Sequence, residues 1–143
     1  MSLLDQLLDR ACTTLASHLR SGLVIFGSAP IVLAGLKPDV RDLDFFVSDE
    51  TFAALVGAGF VANVQDPSVP KIALAEDVDV FKTFPGVEFP DVFASAAPGK
   101  GSRGFHVASL RHVLAFKVTR NKPKDQEDIA LIRKVLGLDH LDR

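Results

Sequence analysis

Two aspartates separated by one residue have the clearest chemical meaning in this chain. Asp42 and Asp44 flank Leu43 at the start of an apolar segment, 43–47, that predicts a β-strand. Alternate residues of a strand share a face, so the two carboxylates are expected to project together. Like charges at this spacing are costly without a cation between them, and Mg²⁺ is the usual cation for oxygen ligands of this kind. The pair predicts a divalent-cation site, and the alternative is that one carboxylate only completes the turn into the strand.

A glycine–serine pair that precedes the aspartates in the chain is a second feature of chemical interest. Gly27 and Ser28 follow a predicted buried strand, 23–26, and open a short predicted helix, 29–34. The backbone at such a strand-to-helix turn can receive a phosphate group. A phosphate-binding turn next to an acidic pair suggests nucleotide chemistry.

A third carboxylate is expected, since two metal ions need more ligands than two side chains supply. Asp77 and Asp79 share a face of a predicted hairpin whose strands are 71–74 and 78–84. Asp77 lies where the hairpin should turn, so it is equally well explained as a turn residue. Asp79 lies inside the strand, where a charge is costly without a partner. We therefore favour Asp79 over Asp77 as the third ligand.

Basic residues near the C-terminus complete the set of candidates. Lys117 falls on the inward apolar stripe of a predicted helix, 110–120. Its ammonium could reach solvent along an apolar stem, or it could reach the acidic cluster or a nucleotide phosphate. Arg120, Lys122 and Lys124 form a basic group at the helix end, which is either a solvated surface or a contact for triphosphate or an RNA backbone.

The elements that must position these residues alternate between helix and strand. The further predicted elements are helices at about 3–20, 50–57 and 124–136 and strands at 60–64 and 105–107. Ser2, Asp49 and Ser109 are the predicted N-caps of their helices. The Pro- and Gly-rich segment 85–104 predicts an irregular loop, which is either a surface connection or a lid or substrate-binding element. Asp125, Glu127 and Asp128 are expected to complement the dipole at the start of the last helix. The order predicts an α/β (α+β) fold.

Composition limits the classes of protein that this chain can represent. Its 143 residues predict a single domain, 48% hydrophobic and 24% charged, with a net charge of −2 that gives no general attraction to nucleic acid or anionic membrane. No apolar run is long enough to span a bilayer, and Asp5 and Asp9 argue against a signal peptide. Cys12 is the single cysteine, which excludes an internal disulfide and fits a reducing cytoplasm.

The motif residues together resemble the nucleotidyltransferase superfamily, which includes polymerase-beta-type enzymes and antibiotic nucleotidyltransferases. The family pattern begins with a hydrophobic residue, then a glycine, then either glycine or serine. Two acids separated by one residue follow, and a further acid lies on a later strand. The matching residues here are Phe26, Gly27, Ser28, Asp42, Asp44 and Asp79. The C-terminal helices also look like those of small abortive-infection-type toxin nucleotidyltransferases. That second likeness rests on Leu110, Lys117, Arg120, Lys124, Asp125 and Asp128. The resemblance covers roughly residues 22–136.

This resemblance implies a fold, a reaction and a set of roles. The fold would be a mixed sheet flanked by helices, with a C-terminal helix pair. Asp42, Asp44 and Asp79 would bind two Mg²⁺ ions, with Mn²⁺ as an alternative, and Gly27 and Ser28 would hold the triphosphate.

Further roles concern the basic residues and the partners. Lys117 or Lys124 would neutralise pyrophosphate, and Arg120 would also bind the nucleotide. The reaction would move a nucleoside monophosphate from an NTP to a hydroxyl of a tRNA, a protein or a small molecule. The alternative is a catalytically inactive nucleotide-binding or protein-interaction module. An antitoxin could be a partner, as could a second copy of the chain that docks through helix 3–20.

Overall fold

Seven strands form one sheet in the part of the chain that the computed structural model describes, residues 1–63 and 69–138. They are, in chain order, β1 (Val24–Phe26), β2 (Leu43–Phe46), β3 (Ala62–Asn63), β4 (Lys71–Ala75), β5 (Val78–Phe81), β6 (Ala97–Pro98) and β7 (His106–Val107). Across the sheet the order is β3-β4-β5-β2-β1-β7-β6. The pairs β1–β7 and β2–β5 are parallel and the other neighbouring pairs are antiparallel. The sheet is therefore mixed.

Helices accompany both faces of this sheet, whose neighbouring strands are mostly antiparallel, and the fold is α+β. They are α1 (Leu3–Thr14), α2 (Ser17–Arg20), α3 (Ala29–Leu33), α4 (Asp49–Gly57), α5 (Phe89–Ser95), α6 (Leu110–Arg120) and α7 (Gln126–Val135). A 3₁₀ turn, Pro123–Asp125, precedes α7. Within the described ranges, none of these helices combines the length and the apolar character needed to cross a membrane.

Strand β2 separates two apolar cores because its side chains alternate between the faces of the sheet. Leu43 and Phe45 belong to the core that contains the buried residues of α1 and α4. Phe46 belongs to the second core, together with Phe84 and with Phe116 of α6. Asp44 shares the face of Phe46, so its carboxylate lies on the side of the sheet that α6 covers.

The first helix is shorter than its apolar pattern predicts. The chain leaves the helical conformation after Thr14, and a separate short helix, α2, follows. The hydroxyl of Thr14 donates back to the Arg10 carbonyl, a bond that weakens helix continuation. The guanidinium of Arg20 donates to the Cys12 and Leu15 carbonyls, which the helix end leaves free. The predicted single helix over 3–20 is therefore wrong.

The apolar stripe of α1 packs within the chain itself. Its buried residues are Leu4, Leu7, Leu8 and Ala11, and all four belong to the core on that face of the sheet. Asp39 anchors the start of the helix, since its carboxylate accepts hydrogen bonds from the Leu3 and Leu4 amides. These bonds hold the pKa of Asp39 below its ordinary value.

The segment 85–104 is more regular than its Pro and Gly content predicts. It contains α5, with Pro90 in the first turn, where a missing amide proton costs nothing. Val92 of this helix is fully buried in the second core, and that burial stabilises the helix against its composition. Strand β6 follows and pairs with β7.

The helix caps divide between confirmed and corrected predictions. Ser2 and Ser109 cap α1 and α6 as expected. Ser48, one residue before the predicted Asp49, caps α4, because its hydroxyl accepts from the Thr51 amide. The last helix starts at Gln126, later than predicted, because the 3₁₀ turn intervenes.

Strand β3 is shorter than the predicted strand over 60–64. It comprises Ala62–Asn63, and Val64 lies outside the described residues.

Candidate functional site

Two of the predicted acids face each other across neighbouring strands. Asp44 in β2 and Asp79 in β5 are direct partners in the parallel register of these strands. Paired residues of adjacent strands point to the same face, so their carboxylates share one side of the sheet. Asp42 lies immediately before β2, and its charge acts on both Asp44 and Asp79. The structure thus brings the three predicted acids into one electrostatically linked group.

The central carboxylate, Asp44, has a raised pKa. Burial raises the pKa of Asp44 to about 7, and the charges of Asp42 and Asp79 add to the rise against the opposing charges of Arg120 and Lys117. Burial also raises the pKa of Asp79, although Lys71 opposes that shift. Such shifts are typical of carboxylates that lack a sufficient counter-charge.

The two candidates for the third carboxylate occupy different environments. Asp77 is exposed in the turn between β4 and β5, with a positive φ of 59°, as expected for a turn residue. Asp79 lies within β5 and has an ion-pair partner, the ammonium of Lys71, at 3.7 Å. Within residues 1–63 and 69–138, no three His, Cys, Asp or Glu side chains are arranged to hold a metal ion. Coordination by three carboxylates would therefore require these side chains to reorient.

Gly27 lies directly against the central acid. It has a φ of 67°, and a Cβ at this position would be 3.1 Å from Oδ2 of Asp44. Glycine is required here both by the positive φ and by the closeness of the carboxylate. The predicted Gly-Ser turn and the predicted acid pair are thus in contact.

Ser28, the second residue of the turn, belongs to a buried network of charges. Its hydroxyl donates to Oδ2 of Asp128 at 2.7 Å and accepts from the ammonium of Lys117 at 3.1 Å. That ammonium also lies 3.1 Å from Oδ2 of Asp128 and 3.5 Å from Oδ1 of Asp125. Lys37 binds the other oxygen of Asp128 at 2.8 Å. The network joins the turn after β1 to α6 and α7.

Lys117 is buried at the centre of this network. Its side chain is 3% exposed, so its ammonium does not reach solvent. The alternative in which the ammonium extends to solvent along an apolar stem is therefore wrong. Asp125 and Asp128 are also buried, at 0% and 1% exposure. Asp125 is the N-cap of α7 and Asp128 lies in its first turn, as predicted, and both also act as buried counter-ions of Lys117. A lysine on the inward face of a helix needs a buried anion as partner. The position of Lys117 on that face is therefore the signal in the sequence that could have identified Asp125 and Asp128 as its partners.

Arg120 connects the network to the surface. Its guanidinium binds Asp125 through two nitrogens, one of them Nε at 2.9 Å from Oδ2, and lies 4.6 Å from the centre of the Phe116 ring. Burial would raise the pKa of Asp125, but hydrogen bonds from Arg120 and from the Lys122 amide outweigh it and lower the pKa to about 2. Asp125 is therefore ionised, and it fixes the position of the guanidinium.

A cleft of about 960 Å³ opens beside Asp44. Its apolar wall consists of Phe46, Phe81, Phe84, Phe89 and Phe116. Asp44, Arg120 and Lys122 also line it, so two basic side chains and an acid lie next to an aromatic surface. The sequence indicated the charged residues, whereas the aromatic wall became apparent only in the structure.

Lys124 lies apart from the other predicted site residues. It is exposed in the 3₁₀ turn and makes no hydrogen bond or ion pair with the residues that the structure describes. Of the predicted basic residues, Lys117 and Arg120 are therefore joined to the buried network, and Lys124 is not.

Comparison with known proteins yields no assignment for this site. No protein-family model matches the chain, and no curated protein shows significant similarity to it. The interpretation of the site therefore rests on its geometry and chemistry.

Proposed function

We propose that this chain is a Mg²⁺-dependent nucleotidyltransferase on a nucleotidyltransferase fold. The observation that carries the proposal is the register that places Asp44 beside Asp79, with Gly27 in contact with Asp44 and the cleft open next to it. A nucleotide needs a cation site, a close backbone turn and a surface for its base, and these features adjoin one another here.

The acids are chemically suited to a divalent cation. Asp42, Asp44 and Asp79 supply hard oxygen ligands. Burial is the main cause of the raised pKa of Asp44, and the charges of Asp42 and Asp79 add a repulsion that a cation would relieve. Asp42 and Asp44 would hold the ion with the triphosphate, and Asp79 would complete the site after leaving Lys71. When bound, Mg²⁺ would neutralise charge on the triphosphate and make the acceptor hydroxyl more acidic.

The residues around the cleft would orient the nucleotide. The partly exposed rings of Phe81 and Phe89 offer an apolar surface for the base. Arg120, held by Asp125, would contact the phosphates and stabilise charge that develops on pyrophosphate. Lys117 would act on the site through its charge and through Ser28, since its ammonium is buried.

The transfer itself would form a bond between an acceptor oxygen and the α-phosphorus of the NTP. The bond between the α-phosphorus and its bridging oxygen to the β-phosphate breaks, and pyrophosphate leaves. Asp79 would accept the proton of the acceptor hydroxyl. A tRNA end, a protein hydroxyl or a small molecule would be the acceptor.

A second candidate is a nucleotide-binding or protein-interaction module without catalysis. The ion pair between Lys71 and Asp79 favours this second candidate, because Asp79, the proposed third metal ligand, is already paired with an ammonium. The two candidates differ in whether nucleotide binding depends on a divalent cation held by the acids.

Calorimetric titration with each of the four NTPs tests the proposal. The wild type is expected to bind one of them in the presence of Mg²⁺, and the double variant Asp42→Ala/Asp44→Ala is expected to lose that binding. Metal-independent binding that survives in the double variant would favour the module without catalysis. A folded wild type that binds no NTP, with or without Mg²⁺, would contradict the proposed function.

Two glycine substitutions separate backbone strain from displacement of Asp44. Gly27→Ala and Gly35→Ala both place a side chain at positive φ, which costs about 1–2 kcal/mol. At Gly27 the new methyl also meets Oδ2 of Asp44, whereas at Gly35 no atom lies within 4 Å. We expect both variants to lose stability in urea unfolding, Gly27→Ala somewhat more because of the added contact with Asp44, and only Gly27→Ala to lose Mg²⁺-dependent NTP binding. Equal nucleotide affinity in the two variants would contradict a role for the Gly27 turn.

A further inference from the structure

Lys71 lies diagonally across the sheet from the proposed third ligand. In the antiparallel pair β4–β5, Ala73 is the direct partner of Asp79, and Lys71 is the partner of Phe81. Lys71 and Ala73 are two residues apart on one strand, so both share the face of Asp79. A long side chain reaches a diagonal neighbour on the same face, and the small side chain of Ala73 leaves that path open. The resulting distance from Nζ of Lys71 to Oδ2 of Asp79 is 3.7 Å.

This ion pair is partly shielded from solvent, yet its two side chains can separate. The Lys71 side chain is 40% exposed and that of Asp79 is 21% exposed. The long contact and the exposure together indicate a weak pair that can dissociate without disrupting the core. A divalent ion on Asp79 would repel the ammonium, so the two cations compete for one carboxylate.

We propose that Lys71 is a positioning residue that holds Asp79 in the absence of the cation and thereby sets the affinity of the site for divalent ions. This inference rests on the proposed function, because it requires Asp79 to be a ligand. Lys71 neutralises Asp79, one of three mutually repelling acids, and its ammonium dissociates from Asp79 when the divalent ion binds. Removal of the ammonium should therefore strengthen binding of the ion, whereas a purely structural lysine would leave it unchanged.

The test is Mn²⁺ binding, measured by the electron paramagnetic resonance signal of free Mn²⁺ with and without a non-hydrolysable NTP analogue. Lys71→Met is expected to bind Mn²⁺ about 2- to 5-fold more tightly than the wild type, as befits loss of a half-exposed ion pair. Lys71→Arg, which keeps the charge, should retain the wild-type affinity. Lys71→Gln repeats the measurement with a polar side chain in case the methionine variant does not fold.

A second lysine provides the matched control. Lys82 pairs with Asp49 at 3.9 Å, and its side chain is similarly exposed. Neither residue is a proposed metal ligand, but both line the cleft, so the control is measured with Mn²⁺ alone, where Lys82→Met should leave the affinity unchanged. In an Asp79→Asn background, the effect of Lys71→Met should disappear. Equal affinities in the wild type and both neutral Lys71 variants would overturn the inference and leave the proposed function intact. Absence of Mn²⁺ binding in the folded wild type and in these variants, even with the analogue, would overturn both.

Discussion

Asp44→Asn and Asp79→Asn are each expected to reduce nucleotidyl transfer by about 1000-fold while the chain remains folded. Stabilisation of charge through a metal is worth several kcal/mol, and each factor of ten corresponds to roughly 1.4 kcal/mol. Folding should survive, because each substitution removes a repelling charge from the group that contains Asp42. The measurement is incorporation of label from α-labelled NTPs into a pool of tRNA, protein and small-molecule acceptors, with thermal unfolding of each variant alongside.

Asp77→Asn is the matched control for these substitutions. Asp77 is exposed in the hairpin turn at positive φ, a conformation that asparagine also tolerates, and so this variant should keep its activity. Full transfer by Asp44→Asn or Asp79→Asn would refute the assignment of the acids. Loss of transfer in Asp77→Asn, with Asp79→Asn active, would move the third carboxylate to Asp77.

Lys117→Met is expected to destabilise the chain by about 3 kcal/mol, the lower part of the range for breaking a buried ion pair. The substitution leaves Asp125 and Asp128 buried with one cation fewer. Arg120 and Lys37 still neutralise these carboxylates in part, which is why we expect the lower part of the range. The measurement is the free energy of unfolding from urea titration at neutral pH, where both carboxylates are ionised.

Lys124→Met is the control for this loss of stability. Lys124 precedes Asp125 in the chain but is exposed and unpaired among the described residues, so its substitution should change the free energy of unfolding by less than about 0.5 kcal/mol. If Lys117→Met were as mild as Lys124→Met, the buried network would not be the stabilising connection between the Ser28 turn and the C-terminal helices.

Local features of the fold were accessible to prediction because neighbouring residues determine them. The alternation in β2 assigns Phe45 to one core and Phe46 to the other, and the hairpin turn falls at Asp77 as expected. Errors arose where distant contacts outweigh local preference. Helix α1 ends early, and its freed carbonyls are bound by Arg20, while α5 forms in a Pro-rich segment because the second core buries Val92.

The candidate site divides in the same way between local pattern and long-range contact. The spacing of Gly27-Ser28 and of Asp42 and Asp44 is a property of the chain itself, and it suffices to suggest nucleotide chemistry. The pairing of Asp44 with Asp79 depends on which strands become neighbours. The bond from Ser28 to Asp128 joins positions 100 residues apart.

Such contacts depend on the free energy of the whole fold, which is low only when buried charges are paired and apolar faces are packed against other elements. No local window contains that information. The register of the acids, the counter-ions of Lys117 and the aromatic wall beside Asp44 were therefore decided only when the chain packed.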